Sequence, residues 1–394
     1  MTQQAVISLN SGSSSIKFAL FDVARGEEPR LVAGGKIEGI GTAPRLRAHR
    51  ADGMPLAERE WPAHCLHGEL LADLFQWGAR RLEGRSVIGI GHRVVHGGTD
   101  FTAPRRVDDG LLEALDELSP LAPLHQPHNL AAIRAIAGLC PSLPQVACFD
   151  TAFHHDLPGV AARFAIPREL HDRGIRRYGF HGISYEYIAR RLREIDPAMA
   201  RGRVIAAHLG NGASLCAMDG GRSMDTSMGF TALDGLVMGT RCGAIDPGVI
   251  LHLQMRLGMD AAEVEELLYR RSGLLGVSGV SSDMRALSAS DAPAAEEAME
   301  LFACRAAREA AGMIASLGGL DGLVFTAGIG ENHADIRARI CRRLAWAGLR
   351  IDERANARNA PIISAADSAI AIRIVPTDEE RMIALHTLAL LGEG

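Results

Sequence analysis

Two stretches of the chain share one pattern of apolar and polar positions, and a third carries a related glycine turn. Residues 204–207 (VIAA) read as a short apolar strand. His208, Leu209, Gly210, Asn211 and Gly212 then make a polar glycine turn, and residues 213–218 read as a second strand ending in the hairpin signal Asp219-Gly220-Gly221. Residues 5–22 follow the same plan, with an apolar strand, a turn at residues 10–14 (NSGSS) and an alternating strand from Ser15 to Phe21. A third glycine turn, residues 325–332 (FTAGIGEN), follows an apolar run and opens a helix. In a strand–turn–strand unit of this kind the turn amides point at an anion and glycine lets the anion approach, a phosphate-cradling arrangement; a plain surface hairpin is the competing reading. The repetition predicts two related halves.

Between these units, apolar spacing predicts an amphipathic helix over residues 61–82, with Leu66, Leu70, Leu74 and Phe75 on one face. It predicts a buried strand over 87–95, a helix over 111–118 stopped by Pro120, a helix over 129–139 and a strand over 145–150. Residues 296–317 form a long alanine-rich helix suited to a domain interface, and 381–391 a final helix. Alternating strands and helices place the chain in the α/β class with mixed sheets.

At 394 residues the chain is long enough for two or three domains, and the run 149–154 (FDTAFH) opens the second. No low-complexity linker separates them, so the domains are expected to be closely joined. Hydrophobic residues at 47% and charged residues at 23% describe an ordinary globular mix. No apolar run reaches the ~20 residues of a membrane span, and the N-terminus lacks a secretory pattern. Seven cysteines without a Cys-x-x-Cys pair argue for reduced thiols and a cytoplasmic location. A net charge of -5 offers no general attraction to nucleic acid or to acidic membranes.

No Gly-x-x-x-x-Gly-Lys-Ser/Thr run is present, which excludes a P-loop enzyme, and no Gly-x-Gly-x-x-Gly follows a strand. His92 and His96 have helical zinc spacing, but on a strand they stand about 13 Å apart, which argues against a shared metal. Arg93 and Arg241 lie among glycines and apolar residues, so each needs an anionic partner, either a phosphate or carboxylate ligand or a structural ion pair. Asp150 and Glu379 are candidate magnesium partners, although for Glu379 the acidic first turn of a helix is the reading the residues alone favour. His181 reads equally as a donor to a phosphoryl oxygen and as a core histidine.

Taken together, residues 10–17 (NSGSSSIK), 91–98 (GHRVVHGG), 122–125 (APLH), 149–154 (FDTAFH), 178–182 (YGFHG), 208–212 (HLGNG), 224–231 (MDTSMGFT) and 326–332 (TAGIGEN) resemble, in order and from end to end, the acetate kinase family. The resemblance implies two duplicated actin-like ATPase (ribonuclease H-like) domains with mixed sheets and an interdomain cleft, the plan of the actin, sugar-kinase and heat-shock ATPase superfamily. On that plan the first domain is 1–149, with the helix of about 381–394 packing back on it, and the nucleotide-binding domain is 150–380.

The resemblance further implies a homodimer that transfers the ATP γ-phosphoryl to acetate, giving acetyl phosphate and ADP, with magnesium required and manganese a substitute. By position, Asn10 and Glu379 match the metal residues. Lys17 and residues 208–212 match the phosphate contacts, and Asp283, Met284, Arg285, Gly328, Ile329, Gly330, Glu331 and Asn332 the adenosine contacts. Arg93 matches the holder of the acetate carboxylate. Arg241 and His181 match the stabilisers of the transferring phosphoryl, and Asp150 the active-site acid. Val95, Leu124 and Phe180 match the lining of the methyl pocket.

The chain departs from the family in having Ala232 where proline is usual, Gln126 and His128 where asparagine and alanine are usual, and Ala244 where aspartate is common. The first departure touches the acid pocket and keeps a propionate kinase, or a broader short-chain carboxylate kinase, as the alternative. A sugar kinase is a further rival. A non-catalytic ATPase-fold protein, a chaperone or a regulator, would need a peptide-binding or helix-turn-helix segment for which the chain has no spare length.

Overall fold

The computed structural model describes residues 3–12, 15–123 and 125–392. The chain divides into two compact units, Met1–Ala152 with Asp378–Gly394, and Phe153–Thr377. Each is built on a mixed sheet.

The first unit holds β1 (Gln4–Ser11), β2 (Ser15–Val23), β3 (Arg30–Glu38), β4 (Arg45–Arg50), β5 (Pro55–Glu60), β6 (Ser86–Val94), β7 (Arg105–Arg106) and β8 (Gln145–Phe149). Their order is β5-β4-β3-β2-β1-β6-β8-β7. β1 to β5 form an antiparallel meander, while β1, β6 and β8 run parallel. Both faces are covered. Leu9, Ile16, Ile37 and Leu46 pack against Leu70, Leu71 and Leu74 of the helix His67–Ala79 and against Ala132 and Ile136 of the helix Gln126–Leu139. On the other face Val6, Ala19, Phe21 and Val23 meet Ala384 and Leu388 of the final helix, Glu379–Leu391.

The first helix is shorter than its apolar spacing predicts. It begins at His67, where the Glu69 carboxylate accepts the Leu66 N–H at 2.7 Å, so Leu66 falls outside the apolar face and is exposed. The final helix begins two residues earlier than expected, because the Asp378 side chain caps it by accepting the Arg381 N–H at 2.9 Å.

The second unit holds β9 (Arg203–Leu209), β10 (Ala213–Asp219), β11 (Arg222–Thr226), β12 (Gly322–Thr326) and β13 (Ala371–Ile374), in the order β11-β10-β9-β12-β13. β9, β10 and β11 are antiparallel neighbours, and β9, β12 and β13 are parallel. The five strands β3-β2-β1-β6-β8 of the first sheet have the same order and the same directions, so the duplication suggested by the two glycine turns is a duplication of topology. Tyr185, Ile188 and Leu192 of the helix Gly182–Ile195 pack on one face against Val204, Ala206, Cys216 and Val324. The long helix Pro293–Leu317 lies along β9, β10 and β11, and its buried alanines, among them Ala295, Ala298, Ala303 and Ala306, let it pack closely inside this unit. Sequence periodicity gave no sign of the helices Pro247–Met255 and Ala261–Arg270.

Candidate active site

Ligands of open α/β sheets gather at the carboxyl ends of parallel strands, and the first unit puts its candidate residues there. Asn10 is next to last on β1, Arg93 next to last on β6, and Asp150 follows β8 directly. The registers Leu9↔His92 and Arg93↔Cys148 set them side by side. The Arg93 Nε donates to both Asp150 carboxylate oxygens at 3.0 Å, and its NH2 donates to Asp150 Oδ2. Its NH1 donates to Asn10 Oδ1 at 3.2 Å, and Asn10 Nδ2 donates to Glu379 Oε2 at 3.4 Å. Asp150 is buried, whereas the Arg93 side chain retains 18% exposure. Burial works against the Arg93 charge, but Asp150, Glu379 and Glu380 outweigh it, and the guanidinium is held more firmly protonated than usual.

The structural ion pair is therefore present at Arg93. Glu379 stands in the acidic first turn of the final helix and accepts from Asn10 Nδ2. Lys17 lies opposite Asn10 in the β1–β2 register. Val95 is buried, and its N–H is bound by Asn129 Oδ1 at 3.0 Å, while Asn129 Nδ2 donates to the Ser11 carbonyl at 2.5 Å. Gln126, one of the family departures, holds both backbone groups of His96: its Oε1 accepts the N–H at 3.1 Å and its Nε2 donates to the carbonyl at 3.0 Å. Leu124 lies outside the described residues.

In the second unit three separate sequence motifs meet at one glycine. A Cβ placed on Gly212 would stand 2.8 Å from Arg241 NH2 and 3.3 Å from His181 Nε2. His181 occupies the left-handed region at φ 57° and caps the helix Gly182–Ile195. Its ring stacks on His208, with centroids 4.1 Å apart, and its Nδ1 lies 2.9 Å from Ser214 Oγ. His208 Nδ1 lies 2.9 Å from Ser184 Oγ. The turn is closed by Gly210 N–H donating to the Gly212 carbonyl at 3.0 Å and by Gly239 N–H donating to the Asn211 carbonyl at 3.0 Å. Leu209 is fully buried and anchors the turn from below. Arg241 NH1 donates to the carbonyl of half-buried Ala232 at 2.6 Å. Phe180, assigned with Val95 to the methyl pocket, is buried in this unit.

The third glycine turn follows β12 as the short helix Ala327–Asn332. Ala327 has φ 65°, a strained value for a residue with a side chain. Glu331 Oε1 accepts the Ala327 N–H at 2.8 Å and the Thr377 N–H at 3.3 Å, and Asn332 Nδ2 donates to the Gly328 carbonyl at 2.9 Å. The side chains of Glu331 and Asn332 thus fold back on the turn itself. Asp283 and Arg285 pair with each other, with Arg285 NH2 2.7 Å from Asp283 Oδ2, and Met284 is buried between them in sequence. His333 Nε2 lies 2.6 Å from Ser288 Oγ, which ties the 283–288 segment to the end of the glycine turn.

The sequence profile of the acetokinase family matches residues 5–385. The chain belongs to the acetokinase family. It is 52% identical over 392 residues to an acetate kinase of Rhodopseudomonas palustris, covering 98% of each chain. Among solved structures it is similar to a propionate kinase of Francisella tularensis, with TM-score 0.89, 38% identity, and 99% and 100% of the two chains covered. An acetate kinase of Porphyromonas gingivalis gives TM-score 0.86 at 35% identity over 98% and 100%. Acetokinase membership carries the duplicated actin-like α/β fold seen here.

Sequence reading of this acetokinase-family chain missed Asn129, Ser184 and Ser214, all buried polar residues that hold site groups. Ser214 was visible as a polar interruption in the apolar run of β10. Asn129 and Ser184 sit on buried helix faces, where a single polar residue gives no pattern.

Proposed function

We propose that the chain is an acetate kinase, which transfers the ATP γ-phosphoryl reversibly to acetate by direct in-line displacement, giving acetyl phosphate and ADP. The observation that carries this reading is the meeting of the Gly212 turn, His181 and Arg241. Phosphoryl transfer asks the protein chiefly to position the reactants and to neutralise charge on the equatorial oxygens. Turn amides, an arginine and a histidine at one glycine supply those donors.

The histidine is prepared for donation by its neighbours. Tyr185 hydroxyl and Ser214 Oγ are hydrogen-bonded, and burial raises the tyrosine well above its usual range, so it stays a donor. If Tyr185 donates to Ser214, the serine hydroxyl is directed at His181 Nδ1, and the proton of the neutral ring then sits on Nε2, the nitrogen facing Gly212.

In the first unit Asp150 and Asn10 occupy three of the five N–H groups of Arg93, which among the described residues leaves one on each terminal nitrogen, the number that a bidentate carboxylate takes. Acetate needs no general base, since simple carboxylic acids ionise at roughly pH 4 to 5. Lys17 and residues 208–212 are the proposed phosphate contacts, and 283–285 with 328–332 the adenosine contacts.

Asn10 and Glu379 suit magnesium, which prefers one or two carboxylate or amide oxygens plus phosphate and water to a full protein cage. Bound there, the ion would neutralise charge on the nucleotide's phosphate oxygens; manganese, equally an oxygen-binding cation, would fit the same groups.

Homodimer formation belongs to the same reading. The helix Pro247–Met255 has no buried residue, and Ile245, Val249, Leu251, Met255 and Leu257 are exposed around it, an apolar patch suited to a second copy. No helix among the described residues is long and apolar enough to cross a membrane. The seven cysteines are free thiols, which suits a cytoplasmic enzyme. Propionate is the second candidate acid, favoured by Ala232 and by the likeness to the Francisella tularensis propionate kinase.

Hydroxamate trapping of the acyl phosphate, with acetate, propionate, butyrate and glucose run side by side, tests the function. Signal with short carboxylates and none with glucose is expected, and ADP formation dependent on glucose would replace this reading by a sugar kinase. Sedimentation of the Leu251→Glu, Met255→Glu double variant tests the dimer surface, with monomer as the expected outcome.

A further inference from the structure

The largest fully buried side chain among the described residues is an arginine, Arg337, on the helix Ala334–Arg343. Its Nε donates to Asn356 Oδ1 at 2.8 Å and its NH1 to the Gly330 carbonyl at 2.9 Å. Its NH2 donates to the Asn356 carbonyl at 2.9 Å and to Asn359 Oδ1 at 2.6 Å. Every acceptor is neutral, and no carboxylate pairs with Arg337 among the described residues. A charge removed from water without a counter-charge is costly, and an apolar side chain of similar volume would fill the space more cheaply. Something must offset the cost.

The Gly330 contact points to what does. Gly330 lies in the turn 328–332, whose backbone is held by three side chains: Glu331 on the Ala327 N–H, Asn332 on the Gly328 carbonyl and Arg337 on the Gly330 carbonyl. The turn has open space beside Gly328, where a Cβ would meet nothing within 4 Å. Burial lowers the Arg337 guanidinium to about 10, which still leaves it charged at neutral pH. The turn therefore has a fixed guanidinium on its Gly330 carbonyl and free space at Gly328.

We propose that Arg337 is the positioning residue of the nucleotide turn: it locks the Gly330 peptide in the backbone that receives the adenosine part of the nucleotide. The inference rests on the reading of residues 328–332 as nucleotide contacts. Arg337 touches no substrate and acts through Gly330. Asn356 and Asn359 are part of the same device. Asn356 Nδ2 is fixed by the Ala334 carbonyl at 2.8 Å, and Asn359 reaches the guanidinium from a left-handed backbone at φ 52°.

Four variants test the proposal, read by kinetics, by calorimetric ADP binding and by thermal melting. Arg337→Met should raise the ATP KM and the ADP Kd at least about tenfold, with the acetate KM and kcat within about threefold. Arg337→Lys, which keeps the charge but not the fork, should recover part of the loss. Asn359→Gly accepts the same φ and removes one acceptor without opening a large cavity, so it should weaken ADP by about threefold even if Arg337→Met does not fold. Gly328→Leu, which projects into open space, should abolish ADP binding in a folded protein. Unchanged ADP affinity in both folded Arg337→Met and Asn359→Gly, or in Asn359→Gly alone where Arg337→Met does not fold, overturns the proposal, as does an equal loss for acetate and ATP. Unchanged ADP affinity in Gly328→Leu instead overturns the assignment of the turn to the nucleotide.

Discussion

Asp150 grips Arg93 by its Nε edge, with both carboxylate oxygens 3.0 Å from the same nitrogen. This pairing suits the acid to aiming the arginine, beside the magnesium-partner reading that its sequence position suggested. Asp150→Asn should raise the acetate KM and lower kcat/KM for acetate by about 100-fold, because a misplaced clamp loses the near-attack geometry. It should also cost about 3 kcal/mol of stability by leaving a largely buried cation against a neutral amide. Steady-state kinetics with denaturant melts measures both. A defect confined to the magnesium titration, with the acetate KM unchanged, would put Asp150 on the metal.

Gly212→Ala should be a catalytic lesion in a well-folded protein. Its new methyl would stand 2.8 Å from Arg241 NH2, the far end of a flexible side chain, so the arginine moves and the turn stays. Displacing a phosphoryl donor by about an ångström costs on the order of 100-fold in kcat. Arg241→Ala, by removing the donor, should cost on the order of 100- to 1000-fold, with ATP binding retained. A Gly212→Ala enzyme within a factor of a few of wild type would separate the turn from the chemistry.

Ser214→Ala removes the group that holds His181 Nδ1. The ring should then sample both tautomers, and kcat should fall about tenfold with little change in either KM. The Tyr185→Phe variant should show a smaller loss in the same direction. Imidazole nitrogen shifts by NMR report the tautomer directly, and an Nδ1-protonated ring in the wild type would refute the arrangement.

Acid should destabilise both units through buried histidines. Burial lowers His92 in the first unit and His154 in the second to about 4, despite hydrogen bonds with Gln145 and with the Phe180 carbonyl. The unfolded chain therefore binds these protons at higher pH than the folded one. Their contribution is complete above pH ~6.5 and is lost as pH falls from there through about 4, at roughly 2 kcal/mol per histidine by pH 5. Urea denaturation at pH 7.5 and pH 5 checks this, and a flat profile would mean that the rings take up protons while folded.

Ala232 lends its carbonyl to Arg241, which proline would also do, so the effect of a ring at this position is one of space. Propionate is expected within about tenfold of acetate in kcat/KM, since a methylene is worth only ~1–3 kcal/mol of discrimination. Butyrate should be poor, and Ala232→Pro should shift preference toward acetate. Propionate below a hundredth of acetate in the unmodified enzyme would mean that a neighbour fills the space.

The strands and the two related halves were legible because alternation and glycine turns are local signals, and β1, β2, β9 and β10 are local hairpins. The meeting of His181, Gly212 and Arg241 was legible only as three separate motifs, since nothing local says that distant residues share a point. Asp150 with Arg93, Asn129 with Val95 and Arg337 with Gly330 were invisible for the same reason. Leu66 misled because apolar spacing continues past a helix start that is set by the Glu69 carboxylate.

The first unit is made of two pieces of chain, with residues 153–377 inserted between them. Val6 and Phe21 therefore leave the ribosome well before their cover, Ala384 and Leu388. Asn10 likewise waits for Glu379 across 369 positions of chain. During synthesis one face of the first sheet therefore stands bare while the inserted unit, whose segments are contiguous, can already condense. The order of maturation runs against the order of translation: the unit whose strands are made first is completed after the inserted one. A nascent chain arrested before residue 379 would present an uncovered hydrophobic sheet, a target for holdase binding and for aggregation that the covered sheet does not offer.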